Sequence, residues 1–304
     1  MGHVAVRVPA KVNLQLAVGP LRADGYHDLA TVFHAVSLFD EVHAEDCPAL
    51  EVVTTGPQAD AVPGGADNLA GRAATLLAAR AGRAPEVRLT IRKDIPVAGG
   101  MAGGSADAAA ALVACDALWG LDLGREALAG LAAELGSDVP FALLGGTAVG
   151  LGRGERLTPA LARGGFTWVF ALAHQGLATP QVFAECDRQR AGTAVPEAAV
   201  SEPLMAALRA GDPVALGRAL GNDLQPAALA LRPELGALLE LGRAHGALGA
   251  VLSGSGPTCA FLVESRDAGL ALGDVLLASG DVRDVRHAHG PVHGARTITP
   301  RVED

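Results

Sequence analysis

The chain has 304 residues, half of them hydrophobic but only 3% aromatic, with a net charge of -9 and a mean hydropathy of +0.30. The length predicts two domains or one large α/β unit with a core of Ala, Val and Leu, and the composition excludes a disordered or fibrous chain. The acidic balance repels a phosphate backbone and argues against nucleic acid as a partner, while the lack of a long uninterrupted apolar run or a secretory signal predicts a soluble, cytoplasmic protein with no membrane contact.

In chain order, Val4, Val6 and Val8 alternate with other residues, and Val12, Leu14, Leu16 and Val18 resume the period after Pro9-Ala10-Lys11. That pattern predicts two strands, or one interrupted strand that exposes Lys11 at the break. A turn at 25–27 and a strand-like stretch at 31–39 follow. Asp67-Asn68 precedes a helix running to about residue 81, with Gly82 as its stop. A strand at 87–91 leads through Lys93-Asp94-Ile95-Pro96 into a glycine-rich loop and an Ala-rich helix, then a helix at 125–135. Turns between strands at 145–157 close the first domain, expected at 1–162. The second, at 163–304, reads as α+β. It opens with an alternating strand at 166–173, continues with helices at 180–190, 201–210, 213–221 and 233–245, and carries a strand-turn-strand from 251 to 263. The segment 191–203 is expected to be a mobile surface loop. No internal repeat suggests a solenoid.

Lys11 and Lys93 are the only lysines beside twenty-two arginines among 24 basic residues. A compact ammonium cannot be replaced by the planar guanidinium, which marks Lys11 as a candidate for chemistry. The four glycines from Gly99 to Gly104, followed by Ser105, let backbone N–H groups approach an anion beside a helix N-terminus, as a phosphate requires. The loop is not a P-loop, because Ser105 stands where Lys would follow Gly104. Asp138, before Pro140, reads equally as a helix N-cap or as a base paired with Lys11. Ser253-Gly254-Ser255-Gly256-Pro257-Thr258 and Gly25-Tyr26-His27 are ambiguous alone. His287, His289 and His293 lack acidic or Cys partners in regular spacing, and the cysteines Cys47, Cys115, Cys186 and Cys259 form no CxxC pair. Both sets are read as structural, the thiols as free.

Together, Pro9-Ala10-Lys11-Val12-Asn13-Leu14, Pro96-Val97-Ala98-Gly99-Gly100-Met101-Ala102-Gly103-Gly104-Ser105 and Ser253 to Thr258, in this order, resemble the three motifs of the GHMP kinase superfamily. The resemblance spans roughly residues 4 to 265. It implies an α+β, two-domain GHMP kinase fold: an N-terminal nucleotide-binding α/β domain, a C-terminal ferredoxin-like α+β domain and an active site in the cleft between them. Gly25-Tyr26-His27, Gly136-Ser137-Asp138-Val139-Pro140-Phe141, Gly146 to Glu155 and Asn222-Asp223-Leu224 resemble the branch that phosphorylates a cytidine-diphosphate-bearing alcohol in non-mevalonate isoprenoid synthesis.

By that resemblance Asp138 is the base and Lys11 its partner, with Asn13 near the substrate. ATP is held by Pro96, Gly99, Gly100, Met101, Ala102, Gly103, Gly104 and Ser105, with Asn68 and Lys93 on the adenosine side. Tyr26, His27 and Phe183 hold the cytidine part, and Ser105 touches Mg²⁺ carried by ATP. The partner implied is a small molecule, with no obligate protein partner. The glycine loop departs from the familiar wording at Met101-Ala102 and Ala106-Asp107. Rival readings are a GHMP kinase for homoserine, mevalonate or a sugar, and a nucleotide-binding module without catalysis.

Overall fold

The computed structural model describes every residue except Met1, Asp60, Ala61, Pro63, Ala98 and 300–304. The expected break after Val8 is not a break. A single strand, β1, runs His3–Leu21 antiparallel to β2, His27–Asp46. The pairing shifts register between Pro9 and Ala10, between Asn13 and Gln15, and between Val18 and Leu21. A bulge preserves the ladder on either side while re-aiming the side chains around it. Lys11 is accordingly buried, at 5% exposure, rather than exposed at an interruption.

β3 (Glu51–Thr55), α1 (Leu69–Arg80), β4 (Val87–Arg92) and α2 (Gly103–Trp119) follow. The first half then continues with α3 (Arg125–Leu135), α4 (Val139–Leu144), β5 (Thr147–Gly152) and β6 (Arg156–Pro159). The large sheet orders β1, β2, β4 and β3 side by side, with β5 also on β2 and β6 on β5. α2 buries residues around its whole girth, from Ala106 through Cys115. An Ala-rich helix suits that place because small side chains let helix and sheet backbones approach closely.

The second half comprises β7 (Phe166–Leu172), α5 (Thr179–Arg190), α6 (Glu202–Ala210), α7 (Pro213–Ala219), β8 (Gly221–Asn222) and α8 (Gln225–Leu231). It ends with α9 (Glu234–Ala244), β9 (Gly249–Leu252), β10 (Cys259–Val263), α10 (Arg266–Ala278), β11 (Asp284–Gly290) and β12 (Arg296–Ile298). Four antiparallel strands order as β11-β7-β10-β9, the ferredoxin-like arrangement. β8 and β12 instead join β1 of the large sheet.

β7 does not alternate between buried and exposed as a half-solvated strand would. Phe166, Trp168, Phe170 and Leu172 pack with the first half's core, while Val169 and Ala171 pack with Val182, Leu238 and Leu272 of α5, α9 and α10 on the other face. A sheet covered on both sides has no polar face to show. The segment before α6 is also tethered: the Gln15 side chain donates to the Ala199 carbonyl (2.7 Å) and accepts from the Ser201 N–H (2.8 Å). The C-terminal end of the segment expected to be a mobile surface loop is thus tied to β1.

Candidate active site

A cavity of about 400 Å³ borders Lys11, Asn13, Asp138, the loop glycines and Phe183. Residues far apart in sequence reach it from β1, the start of α4, the loop before α2 and α5.

The bulged strand β1 turns both Lys11 and Asn13 toward this cavity. Lys11 Nζ donates to Asn13 Oδ1 at 2.6 Å, and Asn13 Nδ2 donates to Thr31 Oγ1 at 2.8 Å. Thr31 in turn donates to the Gln15 carbonyl at 2.7 Å. This chain orients the Asn13 amide so that its oxygen faces the ammonium. Lys11 Nζ also lies 3.8 Å from Asp138 Oδ2, whose side chain is 32% exposed. Burial pulls the Lys11 pKa below its ordinary value of 10.5, with Asp138 opposing that shift. Asp138 precedes α4, yet its side chain makes no capping hydrogen bond there. The carboxylate is turned to the lysine instead.

The glycine-rich loop is held from behind by the Ser253–Thr258 turn between β9 and β10. Ser253 Oγ donates to the Gly100 carbonyl at 3.0 Å. Gly100 has φ +72, and a Cβ there would lie 2.1 Å from the Ser253 carbonyl oxygen; a Cβ on Gly99 would lie 2.7 Å from Thr258 Oγ1. Asn222 secures the turn, its Nδ2 donating to the carbonyls of Leu252 (2.9 Å) and Gly254 (2.7 Å). Ala102, at the N-cap of α2, has a left-handed backbone with φ 59, a strained state for a residue with a Cβ. Met101 is fully buried in the core, and its carbonyl accepts from the Lys11 N–H at 3.3 Å. Gly99, Gly100, Ala102, Gly103, Gly104 and Pro96 border the cavity; Ser105 and Met101 do not.

The remaining expected residues sort differently. Asn68 caps α1, accepting from the Ala70 N–H at 2.9 Å. Lys93 borders the cavity, but its ammonium is engaged by Asp40 and Asp107 at 2.5 and 2.7 Å. Tyr26 is exposed, with the Arg153 guanidinium 5.5 Å over its ring. The neighbouring His27 is buried: its Nδ1–H donates to the Gly19 carbonyl at 2.9 Å, and Nε2 lies 3.2 Å from Asp187 Oδ1. Its ring stacks on Phe183 at 5.5 Å. Neither Tyr26 nor His27 borders the main cavity, but Arg153 does. The residues that sequence reasoning missed are Arg153, Thr31 and Asp40, while Asp107, noted there only as a departure in the loop's wording, turns out to hold Lys93. Arg153 had a local signal in the Gly152-Arg153-Gly154 turn; Asp40 had none. Of the three C-terminal histidines, His289 donates its backbone N–H to Ser37 Oγ at 2.9 Å. Among the described residues no group of three His, Cys, Asp or Glu side chains is placed to hold a metal.

Two family models match the chain: "GHMP kinases N terminal domain" over residues 68–146 and "GHMP kinases C terminal" over 204–281. Curated relatives include 4-diphosphocytidyl-2-C-methyl-D-erythritol kinases. That of Mycolicibacterium smegmatis is 58% identical over 98% of this chain and 93% of its own length. The Streptomyces avermitilis protein is 58% identical over 97% of this chain and 99% of its own. A crystal structure of 4-(cytidine 5'-diphospho)-2C-methyl-D-erythritol kinase superposes with a TM-score of 0.77 at 34% identity, covering 93% of this chain and 98% of that one. A homoserine kinase from Cytophaga hutchinsonii shares the fold at a TM-score of 0.74 and 19% identity, over 98% of each chain.

Proposed function

This chain belongs to the GHMP kinases, and we propose that it transfers the terminal phosphoryl group of ATP to the 2-hydroxyl of 4-diphosphocytidyl-2-C-methyl-D-erythritol, a step of non-mevalonate isoprenoid precursor synthesis. The observation that carries the reading is the meeting of an Asp–Lys pair with a glycine-rich loop across one cavity. Phosphoryl transfer calls for positioning and charge stabilisation more than covalent chemistry, and this arrangement supplies both.

Asp138 accepts the proton of the acceptor hydroxyl. The Lys11 ammonium favours the ionised carboxylate and the developing alkoxide, and Asn13 holds that ammonium in place. The loop from Gly99 to Ser105 turns backbone N–H groups and the N-terminal end of α2 toward the ATP phosphates. Mg²⁺ would arrive on the nucleotide and meet the Ser105 hydroxyl beside the loop; Ser105 itself stands outside the cavity lining, which Asp107 and Asp138 share. When bound, Mg²⁺ neutralises phosphate charge. Asn68 and Lys93 support the adenosine side with polar groups already engaged by protein. Tyr26, His27 and Phe183 take the cytidine part, a role without use for a small acceptor such as homoserine or mevalonate. Both substrates are diffusible small molecules, and a cytoplasmic site of action belongs to the same reading; no helix among the described residues is long and apolar enough to cross a membrane.

The test is Mg²⁺-dependent ADP release with 4-diphosphocytidyl-2-C-methyl-D-erythritol, run beside homoserine, mevalonate and galactose. Release with the cytidyl acceptor alone is expected. Release with another acceptor instead would discard the roles of Tyr26, His27 and Phe183, and release with none would favour a binding module.

A further inference from the structure

Lys93, just after β4, turns its side chain inward, where it is 2% exposed. Its ammonium donates to Asp40 Oδ2 at 2.5 Å and to Asp107 Oδ2 at 2.7 Å. Asp40 is wholly buried on β2. Its other oxygen, Oδ1, accepts from the backbone N–H groups of Asp94 (2.7 Å) and Ile95 (2.8 Å). Asp40 therefore holds the point where the chain leaves β4 for the glycine-rich loop. Lys93 carries the connection to Asp107 in α2, just beyond the loop's other end. Gly103 is fitted to this arrangement, because a Cβ there would lie 2.9 Å from Lys93 Nζ.

Burial opposes the charge on Lys93, but Asp107 and Asp40 outweigh it and raise its pKa above the ordinary value. An ammonium and two carboxyl groups taken from water are a costly way to join a helix to a sheet, and burial raises the Asp107 carboxyl well above its usual range; well-packed apolar residues often do as well for stability. What the charged cluster adds is direction, since each bond fixes an angle as well as a distance.

We propose that Asp40 is a positioning residue for the nucleotide. Acting through Lys93 and two backbone amides, it sets both ends of the glycine-rich loop so that the loop's N–H groups are aimed before a phosphate arrives. The inference rests on the reading that this loop cradles ATP.

Asp40→Asn keeps an acceptor for the two backbone amides but turns an NH₂ group toward the Lys93 ammonium. The expected result is a rise of about 10- to 100-fold in KM for ATP and in Kd for ADP, with KM for the cytidyl acceptor within about twofold of wild type. A merely structural role would move both substrates together or lower only the unfolding midpoint, and either outcome overturns the proposal. If Asp40→Asn does not fold, Asp107→Asn is measured in the same way, because it breaks the far end of the link by which Asp40 acts through Lys93 on α2, and an unchanged Kd for ADP there would overturn the proposal. Wild-type protein that binds no ADP would overturn the loop's assignment and the positioning role with it. Wild-type binding matched by the variant would overturn the positioning role alone.

Discussion

Asp138 sits before a proline at a helix start, where a carboxylate ordinarily accepts from the first backbone N–H groups, yet it caps nothing and faces Lys11 at 3.8 Å. Lys11 is buried and keeps company with Asn13 Oδ1 as well. In the proposed reaction, an ammonium so placed would stabilise charge that appears during proton removal. Asp138→Asn preserves the shape and removes the basic oxygen. It is expected to bind both substrates with kcat lower by about 10²- to 10⁴-fold; steady-state kinetics with near-normal kcat would remove Asp138 from the base role. Ala102 is a residue-scale feature of another kind. Its left-handed backbone stores strain at the head of α2.

At the scale of elements, two loops that neither sheet contains build one wall of the cavity together. The Ser253–Thr258 turn lies so close to Gly99 and Gly100 that neither position has room for a methyl group. Gly100→Ala must displace the Ser253 carbonyl and hold a left-handed φ with a Cβ. We expect KM for ATP to rise by about tenfold or more, with the cytidyl acceptor less affected. An unchanged nucleotide affinity would show that the loop and turn are not coupled. The β1 bulges belong to this scale too, because a regular strand through residues 9–13 would aim Lys11 differently.

At the scale of the molecule, His34 stands where the halves meet. It is fully buried on β2, with Nδ1 hydrogen-bonded to Thr147 Oγ1 at 2.9 Å. Phe166 and Trp168 of β7 pack on its ring, and a Cβ on Gly290 would lie 2.4 Å from its Nε2. Burial depresses its pKa from 6.5 to about 4. Well above pH 6.5 the ring is neutral in folded and unfolded chains and adds no pH dependence. As pH falls from 6.5 toward 4, the unfolded chain takes up a proton that the folded one refuses, so stability falls. At pH 5 the loss is about 2 kcal/mol. Urea unfolding at pH 7.5 and pH 5 should show this extra loss in wild type and not in His34→Gln. Equal losses in both would mean that the interface does not exclude the charge.

Hydrophobic periodicity and end signals were enough for α1, α3 and the strand β4, since these depend on neighbours within a turn or a pleat. The order of the three motifs likewise made the superfamily and its glycine loop legible in the sequence, because a loop that brings backbone amides to a phosphate needs glycine at fixed positions. Tertiary structure alone decided the rest. Whether Pro9-Ala10 interrupts a strand or merely bulges it depends on β2 pairing across it. Whether β7 alternates depends on what covers its second face. Asp40 carries no local signal at all: a single carboxylate on a strand acquires meaning only when folding brings Lys93, Asp94 and Ile95 within hydrogen-bond reach, and such contacts are set by packing between segments that no local rule relates.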